Sequence, residues 1–132
     1  MLTPNPIIMK SVNRVTFLGH LAADPELRST KNGKSVASFA IATNSEWFDA
    51  DGVLQKSVDF HRVVAWDKLG ELCAKHLFKG SPVYLEGRLT NRSYDGKDNI
   101  KRYVTEVIAS NLHILKWKED KKSVEAKELA TA

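Results

Sequence analysis

Most of this chain divides into strands by the alternation of large apolar and polar residues. Val58-Asp59-Phe60-His61-Arg62-Val63-Val64-Ala65-Trp66 is dense in β-branched and aromatic types, the composition of a strand. Side chains alternate across a strand, so Val58, Phe60, Arg62, Val64 and Trp66 share one face while Asp59, His61, Val63 and Ala65 share the other. Two readings of the first face stand open. Either Phe60, Val64 and Trp66 enter the core and Arg62 snorkels out at an edge, or the face is a platform of flat rings and a guanidinium left for a ligand. Periodicity alone favours the core reading.

The same alternation gives four more strands. Val12 to Leu21 places Val15, Phe17 and Leu21 on one face and Arg14, Thr16 and His20 on the other. Val36 to Thr43 sets Phe39 and Ile41 against the small Ser38, Ala40 and Ala42, which permit the tight curvature of a narrow barrel. Pro82 to Tyr94 directs Val83, Leu85 and Leu89 inward and Tyr84, Glu86, Arg88, Arg92 and Tyr94 outward, with Gly87 marking a bulge or bend. Ile100 to Ala109 is the fifth strand, followed by a short apolar segment from Asn111 to Trp117.

The connections carry turn chemistry. Residues 22–35, with Asn32-Gly33, are expected to be a loop, and Ser45 to Lys56 a polar connection that turns at Asp51-Gly52 and displays Trp47 and Phe48. Helical spacing of Leu69, Leu72, Cys73, His76 and Leu77 predicts a helix after Trp66, with Asp67 as its N-cap and Gly80 as its C-cap. Three strands, a helix and two strands make an all-β chain with the order of the OB-fold, a five-stranded Greek-key barrel with one helix between strands three and four.

At 132 residues, 42% of them hydrophobic, the chain forms one domain. It divides into an N-terminal extension (1–10), the barrel domain (11–117) and a charged tail (118–132), taken as solvated or weakly helical. The net charge of +4 falls wholly on the first 117 residues, because four lysines balance four acids in the tail. The pI of about 9.2 suits a polyanionic partner. The lone Cys73 and four scattered histidines offer no zinc spacing, and Cys73 reads as a buried apolar residue in a reducing compartment. No cofactor or metal is expected. The N-terminal apolar run is too short for a signal peptide or a membrane span.

Several segments in order resemble the bacterial-type single-stranded DNA-binding proteins, also found in mitochondria and on phages and plasmids. They include Val12-Asn13-Arg14-Val15, Asp24-Pro25-Glu26-Leu27-Arg28, Ala40-Ile41-Ala42-Thr43, Phe60-His61-Arg62-Val63-Val64, Val83-Tyr84-Leu85-Glu86-Gly87 and Tyr103-Val104-Thr105-Glu106-Val107. The resemblance runs from about Val12 to Leu115. It implies an OB-fold, sequence-independent binding of single-stranded DNA in replication, recombination and repair, no enzymatic activity, and a homotetramer in the cytoplasm with the nucleoid, or in the mitochondrial matrix. Its base-stacking positions carry over as Trp47, Phe60, Trp66 and Tyr94. Phe60 and Tyr94 stand where many members have tryptophan. Its basic positions carry over as Arg14, Arg28, Arg62, Lys68, Lys79 and Arg92, while Ala50 and Ser93 stand where relatives often have lysine. His61, Tyr84 and Tyr103 fall where the resemblance places subunit contacts, although a lone histidine on a strand is more often a satisfied structural group, and either tyrosine can pack within the monomer. Many relatives end in an acidic, apolar tip that recruits repair enzymes; Glu128-Leu129-Ala130-Thr131-Ala132 is not that tip, so either the chain stops short of one or its lineage works without it, and no docking partner is assigned.

Two other functions stand against this reading. Gly33-Lys34-Ser35 ends like a phosphate-binding loop, but Arg28 occupies the position of that motif's first glycine and no strand leads directly into it. The acids are dispersed, without an evident nucleophile or metal cluster. An OB-fold accessory module for RNA or for another replication protein is the second alternative.

Overall fold

The pleat decides which side chains close the interior and which are left for a ligand. The computed structural model describes residues 10–116; the extension before Lys10, Trp117 and the tail lie outside the described residues. Seven elements follow in order: β1 (Val15–Leu21), β2 (Glu26–Ser29), β3 (Ser35–Phe48), β4 (Leu54–Trp66), α1 (Asp67–His76), β5 (Pro82–Asp95) and β6 (Lys101–Ile114). The sheet order is β1-β5-β6-β4-β3-β2, and β1 also pairs with β3 through His20 to Ala42 and Leu21 to Ile41. That last pairing closes five strands into a barrel, with β4 and β6 parallel and the other neighbours antiparallel. Closure covers the sheet edges along the barrel wall, while the β3–β4 and β5–β6 arms extend beyond it. The arrangement is the expected OB-fold, with α1 between the third and fourth barrel strands.

The inward alternation fills the barrel. Ala37, Phe39, Ile41, Val63, Ala65, Val83, Leu85 and Val107 are buried, and Cys73 and Leu77 from the helix side complete the cluster. Helix and barrel approach closely at Gly70, where a Cβ would lie 2.5 Å from the Ala65 carbonyl oxygen. Gly87 has a similar role on the far wall. The β5–β6 register shifts there, pairing Glu86 with Asn111 and Gly87 with Ala109, so Ser110 is the extra residue. A Cβ at position 87 would lie 2.3 Å from the Ile108 carbonyl oxygen, which explains glycine at the expected bulge.

Several expectations change. The loop after β1 contains β2, which pairs with β3 from Glu26–Ser38 to Ser29–Ser35 and is exposed at every position; with no buried face it shows no alternation to read. The polar connection is mostly strand, because β3 continues to Phe48 and β4 resumes at Leu54 around a turn containing Gly52 at φ 77°. Polarity there marks a hairpin standing in solvent. The segment after Ala109 continues β6 past its bulge. Asp67 is not an N-cap: Trp66 holds that position without a side-chain cap, and Asp67 itself adopts φ 55°, a left-handed conformation that Asp tolerates better than most residues. Gly80 is not the C-cap, since α1 ends with the Leu77 N–H donating to the Cys73 carbonyl. Leu89 is exposed, and its backbone N–H and C=O are both bonded by the Asn13 side chain.

Candidate nucleic-acid interface

Along β4 the outward positions are Phe60, Arg62, Val64 and Trp66, and their partners on β3 are Ala42, Ala40, Ser38 and Val36. Partners of this size cannot cover a ring. Phe60 is 66% exposed and Trp66 40%, while Val64 between them is 8% exposed and forms the floor. The core reading of these two rings is therefore overturned. Val64 is buried on this same outer face, as the floor of a groove rather than as part of the core.

Neighbouring strands bring cations to the same face. On one flank β2 sets Arg28 opposite Val36. On the other, β6 lies beside β4, with Val64 opposite Ile108, and β5 carries Arg88, Thr90, Arg92 and Tyr94 in the alternation that matches Ile108. Two open grooves result. One, of about 380 Å³, is lined by Phe60 and Arg62 with Ser38, Ala40, Asp24 and Glu26. The other, of about 360 Å³, gathers Arg28, Arg62 and Arg92 around Trp66 and Val64, with Glu106 at its base. The acids are engaged: Asp24 accepts the Lys79 backbone N–H at 2.7 Å, and Glu26 pairs with Arg28 at 3.0 Å.

Glu106 was not among the residues singled out from the sequence. Its carboxylate accepts the Arg92 Nε–H through Oε1 at 2.8 Å, and Arg62 Nε lies 4.0 Å from Oε2. The available signal was a lone acid in the middle of an expected strand, alternating with Val107. Phe48, displayed beside Trp47 in the sequence, was not among the expected stacking positions. It is exposed and shares the alternation of Phe60 along the hairpin.

The remaining positions divide. Tyr94 is exposed at the far end of β5, on the strand face of Arg92. Trp47 is half exposed but pairs with Gln55, and alternation puts it on the hairpin face opposite Phe60. Lys68, in the first turn of α1, and Lys79, beyond its end, are exposed without lining either groove. Arg14 lies ahead of β1, close enough to Tyr84 to act on its charge. His61 stacks on Phe17 with ring centroids 4.4 Å apart, and its Nε2 is 2.8 Å from Thr43 Oγ1. Tyr84 faces His113 at 5.7 Å, and a hydrogen bond to Glu86, with some burial, raises its phenol above the ordinary value. Tyr103 is exposed on β6, with Lys101 Nζ 5.9 Å from its ring centroid. These three side chains occupy separate places. Among the described residues no group of three or more His, Cys, Asp or Glu side chains comes together as a metal site requires, and no helix is long and apolar enough to cross a membrane.

Residues 12–115 match the model of the single-strand binding protein family. The chain belongs to that family. Its relatives include Single-stranded DNA-binding protein 1 of Chlorobaculum tepidum, 42% identical over 83% of this chain and 68% of the relative's length. The single-stranded DNA-binding protein of Neisseria meningitidis is 38% identical over 80% of this chain and 60% of its own length. The chain thus spans about two thirds of the length of these single-strand binding proteins. Among solved structures, the Plasmodium falciparum SSB in complex with ssDNA superposes with a TM-score of 0.75 at 31% identity, covering 83% of this chain and all of that one.

Proposed function

We propose that this protein binds and protects single-stranded DNA without regard to sequence during replication, recombination and repair, and performs no chemistry on it. The observation that carries the reading is the β4 face, where Phe60 and Trp66 are uncovered on either side of Arg62. A protein that must accept any sequence cannot rely on base edges, whose donor and acceptor patterns differ; every base has a π face and every nucleotide a phosphate. Rings take the first and guanidinium groups the second. Duplex DNA hides its base faces in the stack, so preference for single strands follows.

In this reading Phe60 and Trp66 are the central stacking platform, with Tyr94 extending it along β5 and Trp47 acting from the β3–β4 hairpin. Arg28, Arg62 and Arg92 hold the phosphates over the grooves, and Arg14, Lys68 and Lys79 continue the cationic track around the barrel. The assembly is a homotetramer, with His61, Tyr84 and Tyr103 each at a subunit contact. The protein acts where its DNA is, in the cytoplasm with the nucleoid or in the mitochondrial matrix.

Competition at two salt concentrations tests this. Oligo-dT is expected to displace labelled single strands far better than duplex DNA, poly-rU or heparin, and affinity should fall with salt by a log–log slope of about 0.7 per phosphate neutralised. Equal or better displacement by poly-rU would favour the RNA-module alternative, and nuclease or ATPase turnover by pure protein would overturn the non-catalytic assignment.

A further inference from the structure

We infer that Glu106, an acid set in a cation-lined face, strengthens the binding of a polyanion by positioning two of the arginines that receive it. The inference rests on the reading of this face as the single-strand site. Glu106 stands on β6 between β4, which carries Arg62, and β5, which carries Arg92. Its side chain is only 8% exposed, while those of Arg62 and Arg92 are 61% and 53% exposed. The acid is therefore held in the floor and the two cations rise from it.

Both arginines address the carboxylate through Nε. Arg92 does so by a hydrogen bond of 2.8 Å to Oε1. Arg62 does so by charge at 4.0 Å from Oε2, too far for a hydrogen bond, and Oε2 has no hydrogen-bond partner among the described residues. Engagement at Nε leaves the Nη groups of each guanidinium for a phosphate, which Arg binds through such paired donors. A long side chain loses rotamer freedom when a ligand fixes it. Glu106 imposes part of that loss during folding, so it no longer opposes binding.

Charge alone predicts the opposite sign. If Glu106 only repels phosphate, neutralising it adds one positive charge to the face, tightens binding and steepens the salt dependence. Positioning predicts weaker binding, because an amide in place of the carboxylate removes the charge that draws Arg62 and weakens the bond to Arg92. The two accounts therefore separate on one substitution.

The experiment titrates labelled oligo-dT with the full chain as wild type, Glu106→Gln, Arg92→Ala and the double variant. The expected result is a loss of roughly threefold or more for Glu106→Gln in the wild-type background and a clearly smaller loss in the Arg92→Ala background, the mark of coupled residues. Tighter binding by Glu106→Gln, or an equal loss in both backgrounds, would overturn the positioning role while leaving the site reading in place. Failure of the wild type to bind would overturn both. A measurement on the unaltered protein covers the case in which Glu106→Gln does not fold: the Arg92 Nε–Hε order parameter in free protein should exceed about 0.6, and a lower value would contradict a held guanidinium.

Discussion

At the scale of single residues, exposure separates the rings that serve a ligand from those that serve the core. Phe39 and Phe60 lie on neighbouring strands and differ by one step of the pleat; the first is sealed in the barrel and the second stands in solvent. Alternation in the sequence assigned Phe60 and Trp66 to one face but could not say whether that face was inside, because β4 carries apolar residues on both sides. The small Ser38, Ala40 and Ala42 on the adjacent strand were the clue, since they cannot roof a ring. Cys73 was legible directly. It is fully buried, and burial pushes its thiol up to about 12. Folded protein at pH 8 is therefore expected to resist iodoacetamide, and protein in denaturant to be alkylated at once. Rapid labelling of native protein, followed by mass spectrometry, would contradict the packing around α1.

At the scale of elements, the two long hairpins and the β5–β6 bulge shape the face. Asp49 organises the tip of the β3–β4 hairpin: its Oδ1 accepts the backbone N–H of Val53 and of Asp51, both at 2.9 Å, and its Oδ2 accepts the Gln55 amide at 3.0 Å. These bonds, that from Val53 foremost, hold the carboxyl below its ordinary value of 3.8. A group with a depressed folded pKa contributes stability that is present above its unfolded pKa and lost as pH falls through the folded value. The hairpin that presents Trp47 should thus keep its geometry down to about pH 4 and loosen below it. The Val53 amide shift should titrate with a midpoint under 3.8; a midpoint at or above that value would contradict the clamp. On the far wall, Gly87→Ala pushes a Cβ into the Ile108 carbonyl and is expected to lower unfolding free energy by about 1–3 kcal/mol in chemical denaturation. No loss would mean that the bulge relaxes freely. Element order and core faces were legible because the interior demands apolar alternation, whereas β2 and the hairpin arms escaped because strands exposed on both sides need no such pattern.

At the scale of the whole molecule, charge and closure act together. A barrel with few open edges leaves its outer surface free for a ligand, and the described strands set Arg28, Arg62 and Arg92 on that surface from three different elements. Chain-distant cations converge only in the fold, so the sequence supplied them through family resemblance and the geometry supplied their grouping. Glu106 was missed for the same reason, because its meaning depends on two strands that flank it in space and not in sequence. Assembly belongs to this scale too. Light scattering at micromolar concentration is expected to give four times the chain mass of 14.8 kDa, and the mass of one chain would contradict the proposed tetramer.

The central claim is that uncovered rings on β4 hold unpaired bases. Its most direct measurement is the oligo-dT affinity of Phe60→Ala and Trp66→Ala, read by tryptophan fluorescence quenching or by anisotropy of labelled DNA, beside each variant's melting curve. Each substitution is expected to weaken binding by about 5- to 150-fold, corresponding to the roughly 1–3 kcal/mol per stacked base known for OB-fold single-strand binders, with the melting curve nearly unchanged. Native-like affinity in both folded variants, or loss of the fold itself, would contradict it.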